Sequence, residues 1–484
     1  MEAAGTRANP GERAFMAFIC LLAAVRVFAF CAAFPFFNNV DEEGHFDLTS
    51  KVARGHLPTE LEPYDAAAAD LIAAVRSPEY YQGMGGAATY SQMASQPGYW
   101  KAARNHEATS PPVYYIVAGT WFNAGKALGL SGRTSLYWIR FLDIPIFAAL
   151  VWIAYCVART AFPESWHLRL GLPLIVAFWP QDVFYSINSD VLSAPLVGVA
   201  LVGLSGIGLK RAWGFRRYVG TGLFIAASFL TKLTNIPLLA VALVVALGKV
   251  RHSNSRTKDV HRILAMAAAV LIPVGLWCIR NLVVVGDLLG VKPKSQEMGF
   301  SVKPFGAIWD HPIFTLQGLT TFWHDLMGTL WRGEFFWHGS RLALPTTDAF
   351  YAISSAVFVS IGAITLLRPA LSRDESQAIA MRRISLMAVL LYLGMLFVLS
   401  IVFDFGTSPF PSRDYPYFAI GRLMSGAFIP LAVVYLLGLD FVLKPVKEKW
   451  VRFAVVLIIP LIATISEIAL SWNVFRSGYN WFHG

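Results

Sequence analysis

Apolar runs of roughly 20 residues, each long enough to cross a bilayer, recur from one end of this chain to the other. They cover residues 14–34, 111–130, 136–158, 168–187, 191–209, 218–248, 263–285, 347–367, 384–403, 421–443 and 453–472. Between them lie short loops and two long polar stretches, 35–110 and 286–345. No sustained alternation of apolar and polar positions suggests a barrel. The pattern predicts an all-α polytopic membrane protein.

The short loops carry the basic residues. Arg7 and Arg13 precede the first run. Lys210, Arg211, Arg216 and Arg217 form one later cluster, and Lys249, Arg251, Arg256, Lys258 and Arg262 another. Arg368, Arg373, Arg382 and Arg383 follow, then Lys444, Lys447, Lys449 and Arg452. Placing these clusters on the cytoplasmic face puts both long stretches outside and gives about 11 crossings of the bilayer. Basic clusters flank residues 218–248 on both sides, so that stretch needs an even number of crossings. It is expected to be two short helices meeting at Lys232. Residues 111–130, with Asn123 and Lys126, are expected to lie on or dip into the outer leaflet. A short helix is expected over 64–76 and an irregular loop over 82–98. Residues 14–34 read as a retained first helix, since no small-residue cleavage site follows. The whole is expected to be one transmembrane domain without a soluble C-terminal domain, in the cytoplasmic (inner) membrane, with its site facing the extracytoplasmic side.

Composition agrees. Of 484 residues, 56% are hydrophobic and only 14% charged, with mean hydropathy +0.53. A soluble domain carries nearer a quarter charged residues. The net charge of +10 sits in the short loops and points to topology, not to nucleic acid. The four cysteines, Cys20, Cys31, Cys156 and Cys278, lie in or beside apolar runs and read as small core residues.

Chemistry is expected where the first run ends. Asp41, Glu42, Glu43 and His45 crowd the membrane surface there. Asp41 and His45 are four apart and share a helix face. On the predicted topology Asp190 falls on the same side. So do three cations in or beside apolar helices: Lys232, Arg280 and Arg422. The Pro111-Pro112 pair and the aromatic stretch 331–338 join them. Carboxylates beside membrane-embedded cations suit one kind of reaction. The cations hold a lipid phosphate, and a carboxylate takes the proton of an attacking hydroxyl.

An ordered set of short boxes runs through the chain: Asp41-Glu42 with His45, then Pro111-Pro112-Val113-Tyr114-Tyr115, then Asn188-Ser189-Asp190. Leu230-Thr231-Lys232, Arg280-Asn281 and Gly421-Arg422 with Pro430 complete it. In these boxes the sequence resembles the GT-C superfamily of integral-membrane glycosyltransferases, in particular the group of protein O-mannosyltransferases, lipid A aminoarabinose transferases and related predicted bacterial membrane proteins. It departs from them at Ser110, where many relatives have His or Lys, and at Leu423, where Tyr is usual. The resemblance implies a GT-C-like bundle. It also implies transfer of a hexosyl or pentosyl group, with inversion, from a polyprenyl-phosphate donor to a lipid-linked, polysaccharide or protein acceptor. Asp41, with Glu42, would be catalytic. Lys232, Arg280 and Arg422 would bind the donor phosphate. His45, His106, Tyr114, Tyr115, Asp190, Trp331 and Arg332 would support the site or line an acceptor groove, with 331–338 as a lid. Glu42 and Asp190 are candidate oxygen ligands for a divalent metal ion. The rival readings are a lipid-linked glycan flippase or transporter and an O-antigen-type ligase. A transporter should often show internal symmetry, and the two halves of the chain show none.

Overall fold

The computed structural model describes residues 10–39, 41–80, 87–207, 214–252, 256–367, 376–408 and 410–483. Arg7, Lys210, Arg211, Arg368 and Arg373 of the expected basic clusters lie outside these residues, as do residues 82–86 of the expected irregular loop 82–98, whose described part is mostly helical instead.

The chain is helical almost throughout. Helix α1 (Pro10–Ala33) leads into the first long loop, which holds α2 (Glu42–Ala53), α3 (Ala66–Val75), α4 (Ala87–Ala94) and α5 (Pro97–Ala102). Next come α6 (Val113–Ala127), α7 (Gly132–Arg140), α8 (Asp143–Ala161), α9 (Trp166–Ala177), α10 (Asp190–Ile207), α11 (Phe215–Thr231), α12 (Ile236–Arg251) and α13 (Arg256–Val284). The second long loop contains α14 (Lys292–Glu297) and α15 (Leu316–Arg332), and α16 (Pro345–Leu367), α17 (Gln377–Val402), α18 (Phe428–Val442) and α19 (Lys449–Ser471) complete the bundle. Among the described residues, strands are confined to two small antiparallel pairs: β1 (Ser301–Val302) with β4 (Phe403–Asp404), and β2 (Phe336–Trp337) with β3 (Ser340–Arg341).

Among the described residues, nine helical stretches are long and apolar enough to cross a membrane. The expected count of about 11 is higher because two expected crossings are shorter as helices. Of these, α9 stops after 12 residues and α11 after 17. The run 168–187 does not stay helical, because Pro180 disfavours helical backbone in the residue before it. The chain passes into a buried 3₁₀ turn at Asp182–Tyr185. The run 136–158 is also divided, with a break after Arg140 that leaves Arg140 inside the protein. Helix α6 is only 15 residues long and packs along α2, where Gly119 approaches the Ala53 backbone and Asn123 Nδ2 donates to the Ala53 carbonyl (2.8 Å).

Among the nine apolar stretches, those holding α10 and α18 are the most enclosed and that of α13 is the least. On α13, Leu271, Ile272, Leu276, Ile279 and Val283 face outward, as suits hydrocarbon contact. The second long loop also exposes apolar side chains, Phe305, Trp309, Phe314 and Leu316, with Phe314 set against Phe397 of α17. Charge is also buried in the bundle. Arg26 of α1 binds Glu467 of α19 (Nε–Oε2 2.9 Å) and donates to the carbonyls of Ala177 and Trp179, tying three elements together.

Two local features set up the site. Residues 421–427, expected as the start of one long helix, form a 3₁₀ segment ahead of α18. Gly421 lies so close to the end of α15 that an added Cβ would stand 2.0 Å from the Leu330 backbone nitrogen. Only glycine permits this approach, and it delivers Arg422 beside the loop that follows α15. At Lys232 the backbone is extended (φ −155°, ψ 133°), ending α11 before the 3₁₀ turn Leu233–Asn235 and α12. Pro237 occupies the first turn of α12, where its missing N–H costs nothing. This is the expected helical pair with Lys232 at its turn.

Candidate functional site

Asp41 precedes α2 in the left-handed region (φ 64°, ψ 7°), a conformation that Asp tolerates better than most residues. The turn separates two adjacent carboxylates. Asp41 faces a partly open space and Glu42 faces inward.

Arg422 reaches Asp41 with Nη2 (2.7 Å to Oδ2) and Glu334 with Nε (3.2 Å to Oε2). Its Nη1 stands 3.8 Å from Asp190 Oδ2, beyond hydrogen-bond length. One guanidinium thus gathers carboxylates from the first long loop, the start of α10 and the loop after α15. Asp190, fully buried, also takes Lys232 Nζ (2.5 Å), while Asn188 Oδ1 accepts from the Asp190 backbone N–H (2.9 Å). The other Asp41 oxygen accepts from His106 Nε2 (3.0 Å). Burial raises the affinity of Asp41 for a proton, but Arg422, His106 and Lys294 outweigh it and hold the carboxyl well below the usual range.

His45 lies one turn along α2 and is buried. Its Nδ1 is 2.7 Å from the Tyr115 hydroxyl, so it orients Tyr115 and not Asp41. Tyr114 stands edge-on to the imidazole (6.5 Å). Next to His106, Glu107 takes Lys294 Nζ (2.5 Å) on one oxygen and Ser110 Oγ (2.5 Å) on the other. Lys294 comes from α14, so the second long loop closes over the first at this point.

Glu42 is occupied elsewhere. Arg140 grips it with Nε and Nη2 (both 2.7 Å), and the backbone N–H groups of Phe37 (2.8 Å) and Ile187 (3.0 Å) donate to the same carboxylate. Arg140 also donates to the carbonyls of Cys31, Phe34 and Pro35. A buried ion pair with its hydrogen bonds satisfied is a structural joint, here between α1, α7 and the segment ahead of α10. The expected catalytic and metal-binding position of Glu42 therefore meets a carboxylate with no free face.

Three further expected residues lie outside the cluster. Arg280 donates to the carbonyls of Leu57 (3.2 Å) and Pro58 and stacks on Trp277 (5.1 Å), with no contact to Asp41, Asp190, Lys232 or Arg422 among its described interactions. Arg332 pairs with Asp348 (2.8 Å). Trp331 is sandwiched between Trp179 (4.2 Å) and Tyr351 (5.0 Å) and donates to Ser355. Trp331 and Arg332 belong to the packing between α15 and α16, not to a mobile cover. Of the stretch 331–338 it is Glu334 that reaches the site.

Glu107, Lys294 and Asp182 are not singled out by the sequence pattern, and Glu334 enters it only as part of the stretch 331–338. Glu107 directly follows His106, and Lys294 sits in a basic patch of the second long loop, so both carried a weak signal. Asp182 accepts from the Glu334 backbone N–H (2.8 Å). Burial, helped by the Glu334 charge, pushes Asp182 up to about 7.

Neither donor set fits a divalent ion as it stands. Asp190 is held by Lys232 and Arg422, and Glu42 by Arg140. A second constellation, Asp41, His106 and Glu107, has one ligand atom from each residue within 4.8 Å of the others. Two of those residues are hydrogen-bonded to each other, however, and both Glu107 oxygens serve Lys294 and Ser110. The positive charge facing these carboxylates is supplied by the protein's own side chains.

No family model matches the chain, and no curated protein matches it. Among solved structures it is similar to the oligosaccharyltransferase of Archaeoglobus fulgidus, crystallised tethered to an acceptor peptide containing the NVT sequon. The TM-score is 0.45 at 12% identity, over 95% of this chain and 55% of that one. A second structure of the same protein, in complex with Zn and sulfate, gives TM-score 0.42 at 13% identity, over 94% of this chain and 53% of that one. The chain thus spans about half the length of these structures. At TM-scores below 0.5 the likeness assigns no residue role and no substrate here.

Proposed function

We propose that this protein is a GT-C-like glycosyltransferase that moves a sugar from a polyprenyl-phosphate carrier to an acceptor hydroxyl on the extracytoplasmic face of the cytoplasmic membrane. The observation that carries this reading is the convergence of Asp41, Asp190 and Glu334 on Arg422, with Lys232 alongside, at the ends of membrane-embedded helices. The ordered motifs of the sequence support it independently. The distribution of basic loops supports the orientation.

In this mechanism the carrier phosphate displaces part of the resident pairing and bonds to Arg422, whose Nη1 is the least engaged of its nitrogens, and to Lys232. The acceptor oxygen attacks the anomeric carbon from the side opposite the phosphate. A C–O bond forms as the bond to the phosphate oxygen breaks, and its electron pair leaves with the polyprenyl phosphate. Inversion follows. Asp41 takes the hydroxyl proton. Paired with Arg422 it is a weak base, so the proton moves late, once bonding to the anomeric carbon has made the hydroxyl acidic. Positive charge on the sugar is met by Asp41 and Asp190, and the growing phosphate charge by Arg422 and Lys232. Arg280 has no step in this scheme, and Glu42 acts only through the fold.

Comparing extracytoplasmic glycans by mass spectrometry with and without the protein identifies the product. Purified Asp41→Asn and Lys232→Ala variants separate the reaction from flipping, because a flippase tolerates the first change much better than the second. Unaltered glycans in the deletion strain, or unimpaired transfer by Asp41→Asn, would overturn the proposal.

A further inference from the structure

The mechanism above leaves His45 without a task, yet its surroundings are those of the site. The side chain is 1% exposed. Its ring stacks on Tyr115 (5.9 Å, 24°), and Glu107, Lys232, Asp41 and Asp190 are the charges it feels. Its Nε2 is buried with no partner among the described residues. The Nδ2 of Asn188 is in the same condition, while its Oδ1 fixes the Asp190 backbone. Buried polar atoms in folded proteins are nearly always bonded, to protein, to water or to a ligand. Two unpartnered atoms among the residues surrounding Asp190 mark a place where something other than the described residues supplies the partner.

The polarity of that partner depends on the hydrogen bonds behind His45. Ser110 Oγ donates to Glu107 Oε2 (2.5 Å), so its proton is spent. Tyr115 interacts with both Ser110 and Ser189. When the Tyr115 hydroxyl donates to a serine oxygen, the Tyr115 oxygen accepts from His45 Nδ1–H. Through Ser110 the donors then point toward the buried Glu107 carboxylate, an order in which each bond strengthens the next. Burial, against the opposing pull of Glu107, pushes the imidazole down to about 4, so it is neutral at pH 7. A neutral imidazole with its proton on Nδ1 carries a bare lone pair on Nε2.

We infer that His45 carries its proton on Nδ1 and is a further substrate-positioning residue, whose Nε2 accepts a hydrogen bond from a carbohydrate hydroxyl held between Asp41 and Asp190; an Nε2–H tautomer would overturn it. The inference rests on the glycosyltransferase reading and adds a division of labour to it. A lone pair repels a phosphate oxygen and welcomes a hydroxyl proton. Phosphate therefore belongs to Arg422 and Lys232, and the sugar hydroxyl to His45, with Asn188 Nδ2 available to donate to a neighbouring oxygen.

The test uses the full chain in detergent with ¹⁵N-labelled histidine. The His45 signals are identified by their loss in His45→Gln. The probes are farnesyl phosphate, a panel of farnesyl-phosphate-linked hexoses and pentoses, and the corresponding methyl glycosides, with binding followed by calorimetry. We expect the Nδ1–H tautomer, and a shift of the Nε2 signal with at least one sugar-bearing farnesyl phosphate but not with farnesyl phosphate itself. A shift with a methyl glycoside alone would assign the hydroxyl to the acceptor instead of the donor. His45→Phe keeps the ring stacking and removes the lone pair. It should weaken binding of the sugar-bearing probe by about 2–10-fold, the worth of one neutral hydrogen bond, and leave the affinity for farnesyl phosphate unchanged. His45→Gln, which retains an acceptor, should recover part of the loss and controls for folding. If the sugar-bearing probes bind with the His45 signal unmoved and equal affinity in His45→Phe, Nε2 is met by water; the inference falls while the glycosyltransferase reading stands. If neither kind of farnesyl probe binds, both fall.

Discussion

Arg422 is the residue on which the proposed site depends most. It makes two hydrogen bonds to carboxylates, at 2.7 and 3.2 Å, and an ion-pair contact at 3.8 Å, with its side chain 11% exposed. Replacing it with Gln leaves Asp41, Glu334 and Asp190 facing one another, with Lys232, Lys294, His106 and Arg341 as their remaining partners. Removing one partner of a buried charged pair costs about 3–5 kcal/mol, and the three-way arrangement places this variant toward the upper end. Arg422→Lys keeps the charge but offers a single nitrogen, which cannot serve three carboxylates on different elements at once. Its cost should fall between those of wild type and Gln.

Binding should respond separately from stability. A charge-assisted hydrogen bond to phosphate contributes about 1.5–3 kcal/mol, so farnesyl phosphate should bind Arg422→Gln about 10–150-fold more weakly. The double variant Asp41→Asn/Arg422→Gln removes one of the stranded charges. Its stability should recover by about 0.5–3 kcal/mol relative to additivity, the range of coupling between neighbours in contact, whereas phosphate binding should not recover. Thermal unfolding in detergent and calorimetric titration read the two quantities independently. Wild-type affinity for farnesyl phosphate in Arg422→Gln would refute the assignment of Arg422 to the phosphate. A double variant no more stable than the sum of its parts would refute the claim that Arg422 gathers these carboxylates.

Asp41→Asn preserves shape and removes the proton acceptor, so turnover should drop by about 10²–10⁴-fold with carrier binding retained; a matching loss of binding would place Asp41 on the carrier instead. Glu42→Gln should cost about 3–5 kcal/mol through the stranded Arg140, while the fraction that folds keeps the kcat of the parent; loss of kcat at unchanged stability would return Glu42 to the chemistry. Asp182 gives the pH dependence. Its folded pKa of about 7 lies above the ordinary 3.8, so the folded state binds the proton more tightly and loses stability as pH rises from about 4 through 7. The shift corresponds to roughly 4 kcal/mol at most. Asp182→Asn should flatten the fall in unfolding temperature between pH 5.5 and pH 8, and an unchanged slope would show that Asp182 does not titrate there.

The helical architecture was legible because hydrocarbon length and charge placement act along the chain itself. The break at Lys232 was legible for the same reason, since basic clusters on both flanks and Pro237 constrain a local stretch. Pairing across the chain was not. Nothing local says that Arg140, inside an apolar run, serves Glu42, 98 positions away. Lys294 meets Glu107 across 187 positions, and Arg422 meets Asp41 across 381. Trp331 shows a different failure. An aromatic beside polar residues reads equally as an interfacial side chain or a core one, and only its stacking against Trp179 and Tyr351 decides.

Asp41 and Glu42 make the distinction sharpest, because they are neighbours of nearly identical chemistry. What separates them is how many of their lone pairs the protein has already used. Glu42 receives four donors, two from Arg140 and two from the backbone, two on each oxygen, so no lone pair is left for a substrate or a proton. Asp41 receives two, one to each oxygen, and its side chain keeps 20% of its surface open. A carboxylate that is fully bonded stabilises a fold; one that is half bonded, fixed by Arg422 and His106 yet still able to accept, is prepared for a third partner. That difference originates in the left-handed backbone at Asp41, which turns consecutive side chains to opposite sides of the same turn.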